Sequence, residues 1–127
     1  MKKNVKRGLA GVIGIVAGSI GAFHGYNEIL QGNVAPNGIL IKACPGITAM
    51  GEGPAMTIVP NFFATGIVAV LLSLMVLIWA TMFIEKKNGG LILIILSILL
   101  LLAGGGFLPP VLGIIAGGIY IRNKQTA

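Results

Sequence analysis

His24 and Glu28 stand four residues apart in the first third of the chain, a spacing that sets both on one face of a helix. An imidazole beside a carboxyl is a starting point for a proton relay or a pH-sensitive contact. The pair is expected near the outer end of an apolar segment, where headgroups and water reach it and no buried partner is needed; only ionisable groups deep in a bilayer are functional by default. Ser19 and His24 are the next combination to test, as nucleophile and base. Five residues along a helix leave the two side chains about 140° apart, so they cannot form a hydrogen-bonded dyad there. The chain has no second histidine and no aspartate, its acids being Glu28, Glu52 and Glu85. Nucleophilic catalysis then lacks a base, and Ser73 and Ser97 are expected to bond to backbone or to a neighbouring helix. No catalytic residue is assigned, and the chain reads as a non-enzyme.

Cys44, before Pro45, has no second cysteine with which to close a bridge, and one histidine leaves no metal-ligand set. No metal or cofactor is therefore expected. Cys44 is expected in an outer loop, as a small hydrophobe or as a thiol able to link two copies. Gly104-Gly105-Gly106 is followed by no Lys-Ser/Thr pair and so lacks the features of a phosphate-binding loop.

The most specific spacing belongs to glycine. Gly11, Gly14, Gly18, Gly21 and Gly25 fall within an arc of about 80° on a helix, bordered by Ala10 and Ala22. Such a stripe, a glycine zipper, lets another backbone approach closely, which is the main attraction between helices in lipid. Gly113 and Gly117 repeat the four-residue spacing near the C-terminus. Packing within one chain, self-association, and a glycine-lined conduction path are the three readings of these positions.

The elements that carry these residues follow from composition. Of 127 residues 56% are apolar and only 9% charged, too few polar side chains to coat a water-facing surface. This excludes a soluble fold and makes the lipid bilayer the first partner. A crossing helix needs about 20 apolar residues, a condition met by residues 8–30 and 61–84. The basic start before the first of these has the form of a signal peptide, but the apolar stretch is longer than a signal needs, so a retained helix is expected. Residues 31–60 contain Pro36, Pro45, Pro54, Pro60 and five glycines, which prevents any long helix. Within this outer loop, Asn37-Gly38 before Ile39-Leu40-Ile41 suggests a turn into a short strand with no evident partner.

Residues 90–121 form one apolar run broken by Gly104-Gly105-Gly106 and Pro109-Pro110. A single helix of that length would be about 48 Å long, well beyond a hydrocarbon core of about 30 Å. The breakers predict a tight turn at 105–109, joining helices over 87–104 and 109–124 in a short hairpin. Two full crossings, or a hairpin that stops partway through the membrane, satisfy the pattern. The fold class is thus all-α: one transmembrane domain over 1–127, a polytopic four-helix bundle.

With four crossings and both termini cytoplasmic, Lys2, Lys3, Lys6, Arg7, Lys86, Lys87, Arg122 and Lys124 lie inside and only Lys42 outside, as the positive-inside rule asks. The basic clusters flank apolar runs, so they read as orientation signals and headgroup contacts, not as a nucleic-acid surface. Phe23, Tyr26, Phe62, Phe63 and Phe107 fall near outer ends, and Trp79, Phe83 and Tyr120 near inner ends, the placement of aromatic belts.

The order of parts is a basic start, a glycine-rich first helix, a long outer loop, Glu85-Lys86-Lys87-Asn88-Gly89-Gly90, a Leu-rich helix, Gly104-Gly105-Gly106-Phe107-Leu108-Pro109-Pro110, then Gly113-Ile114-Ile115-Ala116-Gly117 and a basic tail. It resembles the small four-helix prokaryotic membrane proteins grouped as a domain of unknown function, most closely from Phe83 to Lys124. The resemblance implies four helices and a cell (inner) membrane location and transfers no active-site residue. The expected function is a non-enzymatic membrane protein acting through helix contacts, as an accessory subunit of a larger complex or as a homo-oligomer. A pore or transport component built from several copies is the alternative.

Overall fold

The computed structural model describes residues 3–32, 40–42 and 54–126. Cys44, Pro36, Pro45, Glu52 and the Asn37-Gly38 turn lie outside these residues. The fold is all-α, with helices α1 (Lys3–Gln31), α2 (Phe62–Ile78), α3 (Gly89–Leu102) and α4 (Leu108–Thr126). Strands β1 (Leu40–Lys42) and β2 (Pro54–Met56) make a small antiparallel ribbon, with Ile41 opposite Ala55. The short strand expected after Asn37-Gly38 thus has its partner just before α2.

Each helix boundary has a local cause. α1 ends at Gly32, whose φ of +83° lies in the left-handed region that suits glycine. Asn61 caps α2, its side chain accepting a hydrogen bond from the Ala64 N–H at 3.0 Å. α2 then continues as a π-helical turn over Trp79–Phe83, and the Trp79 indole N–H donates to the Gly89 carbonyl at 2.9 Å. Asn88, at φ +57°, precedes α3, which begins at Gly89, two residues after the expected 87. α3 closes with the Gly105 N–H on the Leu100 carbonyl at 3.0 Å while Gly104 takes φ +85°, a glycine-based C-terminal cap. Pro109 and Pro110 occupy the first turn of α4, where an amide proton would have no partner within the helix.

Helices α1 and α2 pack antiparallel, and α3 and α4 form a second hairpin laid against them. At one end lie the start of α1, the 84–88 turn and the end of α4. Arg7 and Glu85 meet there at 3.5 Å, and α4 reaches α3 where Gly117 faces Gly90. At the other end Ile58 N–H donates to the Leu102 carbonyl at 2.9 Å, so residues 57–60 lie as a strap across the end of α3. The Arg7–Glu85 pair is half exposed, 52% and 39% by side chain, so its charges are well screened. Arg7→Ala or Glu85→Gln should change unfolding free energy by less than about 1 kcal/mol, read by equilibrium unfolding in mixed micelles.

The core between the hairpins is built from small side chains and a few large ones: Ala10, Ala17, Ala69, Ala80 and Ala116 with Val76, Ile84, Leu93 and Leu100, all buried. Outward faces carry Val12, Ile15, Leu71, Leu74, Ile95, Leu99, Val111 and Ile115. Two stretches, Arg7–Gln31 and Phe62–Phe83, are long and apolar enough to cross a membrane, whereas Gly89–Leu102 and Leu108–Ile121 are shorter. Fourteen residues of helix rise only about 21 Å.

Candidate functional site: a buried carboxyl beneath the glycine turn

The glycine stripe of α1 faces α2. A Cβ on Gly18 would lie 2.7 Å from both the Ser73 carbonyl oxygen and Leu77 Cβ; on Gly25 it would lie 2.8 Å from the Gly66 carbonyl oxygen and 2.9 Å from Val70 N. Gly14 abuts Ala80, Gly21 abuts Ser73, and Gly11 stands looser, 3.9 Å from the Ala80 carbonyl. The second hairpin repeats the device. Gly113 abuts Ser97, and Gly117 meets Gly90 so closely that a Cβ on either would lie within 2.7 Å of the other's carbonyl oxygen. These seven glycines are therefore placed against helices of the same chain. Their partners Gly66 and Gly90 carry no spacing signal and were not marked in the sequence.

Ser97 Oγ donates to the Leu93 carbonyl at 2.8 Å, as expected of a helical serine. Ser73 does not follow that expectation: its hydroxyl is buried at the Gly21 crossing with no hydrogen-bond partner. The close approach of α1 leaves room for the serine but brings no acceptor.

The expectation for Glu28 is overturned. Its side chain is not at a wet boundary; the residue is 0% exposed, and neither carboxyl oxygen has a hydrogen-bond partner. Besides α1 itself, two elements distant in sequence close over it, the start of α2 and the 103–107 turn. At the position a Cβ of Gly104 would occupy, Glu28 Oε1 is 2.5 Å away and Thr65 Oγ1 3.0 Å away. Both oxygens pack against the bare backbone of Gly104, where any side chain would collide with them. His24 is not paired with Glu28. Its Nδ1 lies 3.0 Å from the Ile20 carbonyl, which can only accept, so Nδ1 carries a proton. Its ring edge packs on Gly106, Nε2 standing 3.0 Å from where a Cβ would be. Asn27, also buried, donates to the Phe23 carbonyl at 2.8 Å.

The hydroxyls beside Glu28 form a chain whose direction is determined. Thr65 Oγ1 donates to the Ala103 carbonyl at 2.6 Å. In the 2.6 Å contact between the two threonine hydroxyls, Thr57 must then be the donor. Thr57 Oγ1 in turn accepts from the Val59 N–H at 3.0 Å. This chain pins the strap to the turn, beside the bridge between Thr57 and Ala103, and spends every hydroxyl proton on it. Thr57, Thr65, Gly104 and Gly106 were not marked as site residues in the sequence. The available signal was an acid inside an apolar helix with no lysine or arginine three or four residues away.

Among the described residues no group of three or more His, Cys, Asp or Glu side chains comes together. No family model matches the chain, and neither a curated protein nor a solved structure matches it. The likeness to small four-helix prokaryotic membrane proteins rests on the order of parts alone.

Proposed function

We propose that the chain is a multi-pass, non-enzymatic protein of the cell membrane that works through contacts of its outer surface, as an accessory subunit of a membrane complex or as a homo-oligomer. The observation that supports this reading is the outward face of α1. In the stretch 8–30 the exposed residues are Gly8, Leu9, Val12, Ile15, Val16, Ser19, Phe23, Tyr26 and Leu30, so Ser19 is a lone outward hydroxyl at mid-helix. Small and hydroxylated residues are the usual means of holding a second helix in lipid. The glycine stripe is already occupied within the chain, which leaves this face for a partner. In this reading α3 and α4 also cross, with the bilayer thinned or the basic ends snorkelling, and both termini lie in the cytoplasm.

Purification in mild detergent, followed by particle mass, tests the function. The expected result is an assembly larger than the 13.1 kDa chain, or a co-migrating membrane protein, and its loss in Ser19→Leu without loss of thermal stability. A monomer with no companion overturns the reading. Topology is tested by single cysteines in a Cys44→Ser background. Reagents that do not cross membranes should label a cysteine at Gly51 and not one at Asn88; the opposite pattern reverses the orientation. A transport component remains the second reading, favoured by the buried Glu28. It predicts monovalent-cation flux into liposomes that Glu28→Gln abolishes.

A further inference from the structure

The glycine stripe of α1 does not close along its whole length. A Cβ on Gly14, Gly18, Gly21 or Gly25 would collide with the facing helix, whereas one on Gly11 would meet nothing nearer than 3.9 Å and one on Gly8 nothing within 4 Å. Toward its N-terminus α1 therefore stands clear of the 79–83 turn, and a groove of about 360 Å³ opens there, lined by Arg7, Gly8, Gly11, Val12, Ile15 and Thr81. The missing side chains of Gly8 and Gly11 are not needed for any close approach, and the room they leave is open. Most of the lining is apolar. The Thr81 hydroxyl donates to the Leu77 carbonyl at 2.8 Å, while its methyl carbon Cγ2 lies 4.0 Å from the place of a Gly11 Cβ. Val12 and Ile15 are both exposed along the outer side. The single charge of the lining is Arg7, at one end. Its side chain is 52% exposed and meets Glu85 at 3.5 Å, longer than a close charge-assisted hydrogen bond, so the five-donor fork is not used up by that carboxylate. Lys86 and Lys87, exposed on the adjoining turn, leave positive charge in excess among the described side chains of this end.

We propose that this groove binds one anionic phospholipid, its phosphate on the Arg7 guanidinium and one acyl chain laid along Gly11, Val12 and Ile15. From Arg7 to Ile15 α1 rises about 12 Å, so a ligand that follows the groove passes from a cation at the membrane boundary to apolar walls deeper in. That is the order of parts in a phospholipid. Arginine suits the phosphate through its planar fork, and the surplus of Arg7, Lys86 and Lys87 over Glu85 favours a headgroup of net negative charge, since a zwitterionic one brings its own cation to the same place. Volume argues against a partner's helix as the occupant: 12 Å of helix about 10 Å across fills roughly 900 Å³, so a helix lies over the groove and not in it. The site rests on the membrane location put forward above and not on the contact reading, which turns on Ser19.

The test begins with fractionation of cell membranes and continues with native mass spectrometry of the full chain from a neutral detergent. Phosphatidylglycerol, phosphatidylcholine and glycerol phosphate, the last a headgroup without chains, are titrated separately. Phosphatidylglycerol should bind about fivefold or more tighter than phosphatidylcholine, and glycerol phosphate should not compete at the same concentration. Arg7→Gln should remove that preference, whereas Lys87→Gln, outside the groove, should change it less than twofold. Gly11→Leu fills the groove and should weaken phosphatidylglycerol about tenfold with a melting point within about 4 °C of the wild type; Gly8→Leu decides the matter if that variant does not fold. A chain recovered in the soluble fraction overturns the membrane reading and the site with it. A chain held in membranes that binds both lipids alike, or that glycerol phosphate saturates equally well, overturns the site alone. So do equal effects of Arg7→Gln and Lys87→Gln, which mean a diffuse surface charge, and a filled groove that leaves lipid binding intact or costs an oligomer instead.

Discussion

Gly25→Ala should destabilise the bundle by about 2 to 3 kcal/mol, as should Gly66→Ala, although each adds a single methyl group. The two glycines sit opposite each other where α1 crosses α2. The added carbon at Gly25 would lie 2.8 Å from the Gly66 carbonyl oxygen, and that at Gly66 2.6 Å from the Gly25 carbonyl oxygen and 2.7 Å from Ile29 N. Every one of these neighbours is backbone, so no rotamer change relieves the overlap and the helices themselves must move apart. Separation forfeits dispersion contacts along the whole crossing. The two substitutions should also be strongly non-additive: once the first has parted the helices, the second meets little, and the double variant should cost clearly less than the sum. Val12→Ala, on the exposed face of α1, serves as control and should stay within about 0.5 kcal/mol. Equilibrium unfolding in mixed micelles reads all four. Equal effects at Gly25 and Val12 would mean that the crossing is looser than described.

The difference between α1 and the site beneath the turn shows which features are local enough to read from sequence. A stripe of glycines every three or four residues is a property of one helix, and its direction is settled as soon as the helix forms; only the identity of the facing helix needs the fold. The breakers around Gly104 and Pro109 are equally local, since the positive φ of Gly104 and Gly106 and the prolines of the first turn act within a few residues. Gly66 stands alone in α2 and Gly90 is the second of two glycines that open α3, and their packing role exists only because Gly25 and Gly117 arrive opposite them. Glu28 is the sharper case. Seen along α1 it lies close to the helix end and to the loop, where water is the default neighbour. Its burial comes from Thr65, 37 positions further on, and from Gly104, which lies 39 positions beyond Thr65. No periodicity within a helix encodes that enclosure. The hydrogen bond of the Trp79 indole is likewise unannounced, because its acceptor, the Gly89 carbonyl, lies beyond the next turn.

Gly104→Ala should cost about 3 kcal/mol or more, and the loss can be divided into two causes by comparison with Gly32→Ala. Both glycines have positive φ, +85° and +83°, so each alanine pays the left-handed backbone penalty of about 1 to 2 kcal/mol. At Gly32 a Cβ would meet nothing within 4 Å, and the backbone penalty is all that remains. At Gly104 the same carbon would also press on Glu28 Oε1 at 2.5 Å, Thr65 Oγ1 at 3.0 Å and Glu28 Cδ at 3.1 Å. Thr65 is tied to Ala103 and cannot swing away without breaking that bond. The excess of Gly104→Ala over Gly32→Ala therefore measures how firmly the carboxyl is seated against the turn. Removing the carboxyl checks the attribution. In a Glu28→Ala background the space is vacated, and adding Gly104→Ala should then cost little more than Gly32→Ala does, a coupling of at least about 1 kcal/mol between positions far apart in sequence. Gly106→Ala, whose Cβ would lie 2.9 Å from His24 Cδ2, should keep its full cost in that background, because its obstacle is the imidazole and not the carboxyl. Identical losses at Gly104 and Gly32, or a Gly104 loss unaffected by Glu28→Ala, would place Glu28 away from the turn.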